Sequence, residues 1–145
     1  MIPIGHVETP WATLAECPRN GRQPENPPLC HAVVLPEFIP GLASLEGFSH
    51  LILLTLLDQA AAPRLRFTPP FDDRERGVFA TRAPWRPNPI GVTVVAFEGF
   101  ESPGRLVIRF LDCRNGTPLL DIKPYLRTTD CVPESSMGWL EQGVG

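Results

Sequence analysis

Gly91-Val92-Thr93-Val94-Val95-Ala96-Phe97 is the stretch on which the fold turns. Its side chains are mostly β-branched or aromatic, which suits a pleated strand better than a helix. Just before it stands Arg82-Ala83-Pro84-Trp85-Arg86-Pro87-Asn88-Pro89-Ile90, whose prolines remove backbone donors and stiffen the chain. Working outward, comparable short runs rich in Val, Ile, Leu and Phe occur at 2–8, 30–35, 49–57, 77–81, 105–111 and 119–122. Residues 45–58 are ambiguous by length, since a buried helix would read the same way; a strand over 49–57 is preferred. Eighteen prolines in 145 residues disfavour long helices. Met137, Trp139 and Leu140 suggest a short closing helix over 135–142. The expectation is a mainly β fold of about seven short strands, a barrel or sandwich, in one domain over 1–145.

Composition narrows the function classes. No apolar run approaches the roughly 18 residues that a membrane-spanning helix needs, and the amino terminus shows no export signal. No membrane association and a cytoplasmic location are expected. A formal net charge of −3 argues against a basic surface along the whole chain. Six arginines between Arg64 and Arg86, against Asp72, Asp73 and Glu75, nevertheless make that stretch locally basic. It reads either as a solvated loop or as guanidinium groups that fork onto phosphate. The proline-rich stretches 18–28 and 63–70 should be surface loops.

The usual chemical signatures are missing. There is no Gly-x-Gly-x-x-Gly after the first strand, no phosphate-loop lysine and no nucleophile elbow. His6, His31 and His50 lack metal spacing, and Cys17, Cys30, Cys113 and Cys131 form no Cys-x-x-Cys pair, so no metal is expected. A looser cysteine cluster assembled by folding stays open. Three segments stand out as rigid and polar: residues 82–91; Leu111-Asp112-Cys113-Arg114-Asn115-Gly116-Thr117-Pro118; and Asp121-Ile122-Lys123-Pro124-Tyr125. Asn115-Gly116 reads as a two-residue hairpin turn. Asp121 and Lys123 alternate with apolar neighbours and should share one strand face, where a structural ion pair is the plain alternative to a site.

Gly77-Val78-Phe79-Ala80-Thr81-Arg82, Arg86-Pro87-Asn88-Pro89-Ile90-Gly91, and Gly116-Thr117-Pro118 through Asp121-Ile122-Lys123-Pro124-Tyr125 resemble the TsaA/TrmO family. Gly5 with Thr9-Pro10, Cys17-Pro18-Arg19-Asn20 and Leu45-Glu46-Gly47-Phe48-Ser49-His50 resemble its amino-terminal motifs. The resemblance covers nearly the whole chain in order. It implies a single-sheet β-barrel that binds S-adenosylmethionine, as a homodimer with the site near the subunit interface, and that N6-methylates N6-threonylcarbamoyladenosine beside the tRNA anticodon. By motif, cofactor contacts would come from Asn20, Gly21, Arg22, Leu57, Asp58, Arg82, Val92, Arg109, Phe110, Leu111 and Asp112.

Transfer to N6 releases a proton, and Asp112, Asp121 and Tyr125 are the candidate acceptors. Lys123 would hold Asp121 ionised or engage a substrate carboxylate. Arg86, Asn88 and Lys123 are candidate substrate contacts, and Arg82 or Arg86 would take a cofactor carboxylate or RNA phosphate. The chain departs from better-known members at Asn20, where they carry Gln, at Asp58, where they carry His, and at Asn115, where they carry Asp. Some larger members have a carboxy-terminal extension, and this chain ends soon after Trp139. Two other readings therefore stand beside tRNA methylation: methyl transfer to a small thiol or other soft acceptor, and a cofactor-sensing or RNA-binding module without turnover.

Overall fold

The structure, a computed structural model, describes residues 1–141. Eight strands form, in chain order: β1 (Gly5–Glu8), β2 (Cys30–Val34), β3 (His50–Leu56), β4 (Arg66–Phe67), β5 (Arg76–Gly77), β6 (Ile90–Ser102), β7 (Arg105–Arg109) and β8 (Pro118–Pro124). Six of them close a barrel in the order β1-β2-β7-β6-β3-β8, every pair antiparallel. The mainly β barrel expected from the sequence is therefore present, with six strands in its wall.

The ambiguous apolar run resolves as a strand through its alternation. Leu51, Leu53 and Thr55 of β3 are buried while Ile52, Leu54 and Leu56 between them are half-buried. That period of two puts every other residue inside. Opposite them across β6 and β8, Val95 and Leu119 are fully buried too. Val7, Ala32, Leu106 and Ile108 complete the interior from β1, β2 and β7. Burying a side chain of this size contributes about 1.5–3 kcal/mol each. A bulge in β8 between the partners of Leu54 and Thr55 makes Leu54 face Asp121 and Thr55 face Leu119, skipping Leu120.

Three sequence expectations need correction. Residues 77–81 do not form a strand: after β5 the chain turns into a 3-10 helix, Val78–Ala80. The Thr81 amide and hydroxyl both donate to the Val78 carbonyl, closing that turn. Asn115-Gly116 makes a tight turn, with Thr117 N donating to Arg114 O at 3.1 Å and Gly116 at φ +86°. It is no hairpin, because β7 and β8 are not neighbours in the barrel. The closing helix is a short 3-10 turn, Gly138–Glu141, preceded by one α-helical turn, Arg127–Asp130; Gln142 lies outside the described residues.

Two compact units result. One is Met1–Gln59 with Ile90–Tyr125 and holds the barrel; the other is Ala60–Pro89 with the chain from Leu126 onward. In the second unit, Phe67 and Val78 are buried and Trp85 packs edge-on against Phe67 at 5.0 Å. Its first part is an insertion between β3 and β6, two strands that pair along their whole shared length. Among the described residues, no helix is long and apolar enough to cross a membrane.

Candidate functional site

Antiparallel order fixes which connections share an end of the barrel. β1 and β2 are joined by 9–29, β7 and β8 by 110–117, and β3 ends and β6 begins at the same level. All of these lie at one end, and so do the residues at 20–22, 57–58 and 109–112.

The tightest contact there joins segments far apart in sequence. Asn20 Oδ1 accepts from Arg22 N at 2.8 Å and Asn20 O from Gln23 N at 3.2 Å, folding 19–23 into a compact turn. The turn lays Gly21 against Phe110 so closely that a Cβ on Gly21 would sit 1.7 Å from the Phe110 carbonyl oxygen. Phe110 is itself at φ +72°, a left-handed conformation costly for a bulky side chain. The Arg22 guanidinium lies 4.0 Å above the Phe110 ring, a cation–π contact. Arg109 anchors both flanks, donating to Glu98 Oε2 at 2.6 Å and to Pro27 O at 2.9 Å.

Beyond Phe110 the chain plugs the barrel's end. Leu111 and Cys113 are buried, and half-buried Asp112 between them accepts from Thr93 Oγ1 at 3.4 Å. Cys113 Sγ lies 3.8 Å from Thr55 Oγ1. Burial, with the Asp112 charge second, pushes the Cys113 thiol up to about 12; burial pushes Cys30 to about 11. Cys17 is raised as well, by burial first and then by Asp112, so that carboxylate stands within electrostatic reach of Cys17 and Cys113. These thiols stay protonated and inert at neutral pH. Among the described residues, no group of His, Cys, Asp and Glu gathers to hold a metal ion.

Asp58 is exposed and paired with Arg114 Nη2 at 3.5 Å, while Arg114 Nη1 donates to Asn115 O at 2.6 Å. Leu57 packs beside Gly91, where a Cβ would come within 2.6 Å of Thr55 Oγ1 and 3.3 Å of Leu57 Cδ2. Arg114 and Thr93 are polar contributors that sequence reasoning missed. Thr93 stands in no recognisable pattern, Arg114 lies within the polar segment 111–118 without a role of its own, and only the fold brings them to Asp112 and Asp58.

Within the barrel unit, Val92, Asp121, Lys123 and Tyr125 lie apart from this cluster. Val92 and Asp121 both flank Leu54 on the outer wall, opposite in direction to inward Leu53 and Thr55. Lys123 Nζ meets Asp121 Oδ2 at 2.9 Å on that same face, as alternation predicts, with both side chains about half exposed. Tyr125 follows the far end of β8, where its amide donates to His50 O at 3.2 Å and its ring lies 6.3 Å from the His50 ring. Arg82, Arg86 and Asn88 belong to the second unit. Arg82 and Asn88 are exposed, whereas Arg86 Nη1 donates to Thr81 O at 2.8 Å and Ala83 O at 3.1 Å. Arg86 thus satisfies carbonyls in a loop whose prolines supply few donors.

A closed six-stranded antiparallel barrel with a polar loop cluster at one end defines a small β-barrel domain. The profile of the tRNA-methyltransferase O N-terminal domain matches residues 6–131, and the chain belongs to that family. A relative from Archaeoglobus fulgidus named S-adenosyl-L-methionine-binding protein is 42% identical over 90% of this chain and 91% of its own length. A second from the same organism, named probable S-adenosyl-L-methionine-binding protein, is 42% identical over 96% of this chain but only 37% of its own. The crystal structure of TrmO from Pseudomonas aeruginosa superposes with a TM-score of 0.74 at 37% identity, covering 94% of this chain and 60% of that one. This chain therefore spans nearly all of one of these relatives and less than two thirds of the other two.

Proposed function

We propose that this chain binds S-adenosylmethionine at the loop end of its barrel and transfers the methyl group to N6 of threonylcarbamoyladenosine in tRNA. The observation that carries the reading is the seating of Gly21 on Phe110. It joins 20–22 to 109–112, the two segments richest in residues that the family resemblance assigns to the cofactor. The family profile and the names of the relatives support the same cofactor.

The donor set fits such a molecule. Carboxylates at Asp58 and Asp112 suit its cationic portion, guanidinium groups at Arg19 and Arg22 suit its carboxylate, and backbone groups around Phe110 and Leu111 suit a purine edge. When bound, it supplies a methyl group on a cationic sulfur, open to in-line displacement. The chain's own residues orient and hold charge. Arg22 fixes the Phe110 ring, Arg109 holds the loop at Pro27, and Thr93 holds Asp112.

The proton from the acceptor nitrogen goes to Asp121, whose carboxylate pairs with Lys123 Nζ at 2.9 Å. Asp121 suits this role better than Tyr125 because it sits across Leu54 from Val92. The outer wall carrying Ile52, Leu54 and Val92, the last 47% exposed, supports a homodimer in which a second barrel covers this face. An activity on tRNA would operate in the cytoplasm.

The test is to incubate purified protein with methyl-labelled cofactor and tRNA bearing or lacking threonylcarbamoyladenosine, then resolve the nucleosides by mass spectrometry. Label in the methylated modified nucleoside is expected. Cofactor binding without label in any nucleoside would overturn the tRNA reading, and label on an added thiol would replace it with the soft-acceptor activity.

A further inference from the structure

The second unit exposes aromatic rings alongside exposed arginines. Phe79 is 74% exposed and Phe71 50% exposed. Single exposed apolar residues are ordinary, but these two are braced. Trp139 stacks on Phe71 with centroids 5.9 Å apart and ring planes 7° from parallel. The same indole donates from Nε1 to Ala80 O at 2.9 Å, beside Phe79. One locked tryptophan therefore ties the segments bearing both rings. Arg76 lies 4.6 Å over Trp139, and Arg86 lies 5.9 Å from the Phe79 ring centroid.

The charge around these rings is uneven. Residues 60–89 carry Arg64, Arg66, Arg74, Arg76, Arg82 and Arg86 against Asp72, Asp73 and Glu75, while the part of the same unit from Leu126 onward adds Arg127 against Asp130, Glu134 and Glu141. Asp72 is held by Arg76 at 2.6 Å and Glu75 by Arg66 at 2.9 Å, so those acids are neutralised within the unit. Arg74 and Arg82 are exposed and form no ion pair among the described residues. Rigid, exposed π-faces beside exposed guanidinium groups match unpaired nucleotides, whose bases stack on aromatic rings while their phosphates take arginine. A duplex hides its base faces and offers only phosphate.

We propose that Phe71 and Phe79, braced by Trp139, form a stacking platform for unpaired bases of RNA, with Arg74 and Arg82 as phosphate contacts. The inference rests on the proposed tRNA activity and adds the surface that would hold the loop around the target base.

Fluorescence anisotropy with a stem-loop RNA, and with the same stem as a continuous duplex, tests it on the whole chain. Phe79→Leu and Phe71→Leu keep apolar bulk but remove the π-face. Each should weaken stem-loop binding roughly five- to hundred-fold, leave the weaker duplex binding unchanged, and leave cofactor binding by calorimetry unchanged; Phe79→Tyr should restore stem-loop binding. Both Leu variants binding the stem-loop like wild type, at an unchanged melting temperature, would overturn the platform while leaving the tRNA activity intact. Phe79→Ala that lowers the sedimentation mass without changing RNA affinity would assign these rings to an interface between copies instead. Wild-type protein that binds cofactor but neither binds nor methylates tRNA would remove the underlying activity and the platform together.

Discussion

Gly21→Ala isolates the contact that builds the proposed cofactor end. Gly21 does not need a left-handed backbone, so the alanine is opposed by space alone. Its Cβ would lie 1.7 Å from the Phe110 carbonyl oxygen and 2.5 Å from the carbonyl carbon, against backbone that cannot rotate away. Either the 19–23 turn lifts or Phe110, already at φ +72°, shifts and takes Leu111 and Asp112 with it. Overpacking of this kind costs about 1–3 kcal/mol. Taking about 2 kcal/mol, cofactor affinity falls roughly thirty-fold if the whole cost appears on binding. Should it appear on folding instead, the melting temperature falls by roughly 4–8 °C. Gly41→Ala is the control, since nothing lies within 4 Å of its Cβ. Calorimetric titration together with thermal melting reads both channels. A Gly21→Ala protein that binds and melts like wild type would refute the assignment of this junction to the site.

Asp121→Asn and Lys123→Ala remove a half-exposed ion pair, which contributes at most about 1 kcal/mol to stability. Melting should move by only a few degrees while kcat falls and cofactor affinity holds; a melting loss matched by equal losses in binding and turnover would make the pair structural. On the far wall, Arg105 donates to Glu8 at 2.6 Å and holds its carboxyl below the ordinary value of 4.5. That contribution is present above the ordinary value and is lost as pH falls through the lowered one. The stability gap between wild type and Glu8→Gln should therefore shrink between about pH 7 and about pH 3, as denaturant melts will show. Brief alkylation of the native protein should modify exposed Cys131 first and leave Cys30 and Cys113 unmodified until unfolding; peptide mapping that finds either labelled early contradicts their burial.

The barrel was legible where side chains alternate. The shared face of Asp121 and Lys123 is readable from alternation with apolar neighbours, whereas the inward direction of Leu51, Leu53 and Thr55 is not, because Ile52, Leu54 and Leu56 between them are just as apolar. Residues 77–81 misled because Val78 and Phe79 have strand-like side chains, while the Thr81 amide and hydroxyl turn back onto Val78 O. Asn115-Gly116 misled differently: the dipeptide codes for a turn, but which strands flank it in space is decided by barrel order. Most cofactor positions were reached through family motifs, not through physics. Their meeting at Gly21 and Phe110 depends on a loop contact across most of the chain, and no local pattern encodes that. The roles of Arg114 and Thr93 were invisible for the same reason.

The insertion between β3 and β6 has a consequence for how this barrel can change. Two adjacent antiparallel strands need only a hairpin turn, yet here roughly thirty residues separate them. Lengthening such a closure from about four residues to about thirty costs only about 2 kcal/mol in chain entropy, because the penalty grows with the logarithm of length. The strands' register, set by the buried alternation of Leu51, Leu53 and Val95, does not depend on what the insertion contains. The barrel wall therefore keeps its register whatever length this segment has, even though the segment also carries the motif residues 77–82 and 86–89. One wall can in this way carry insertions of different length and content.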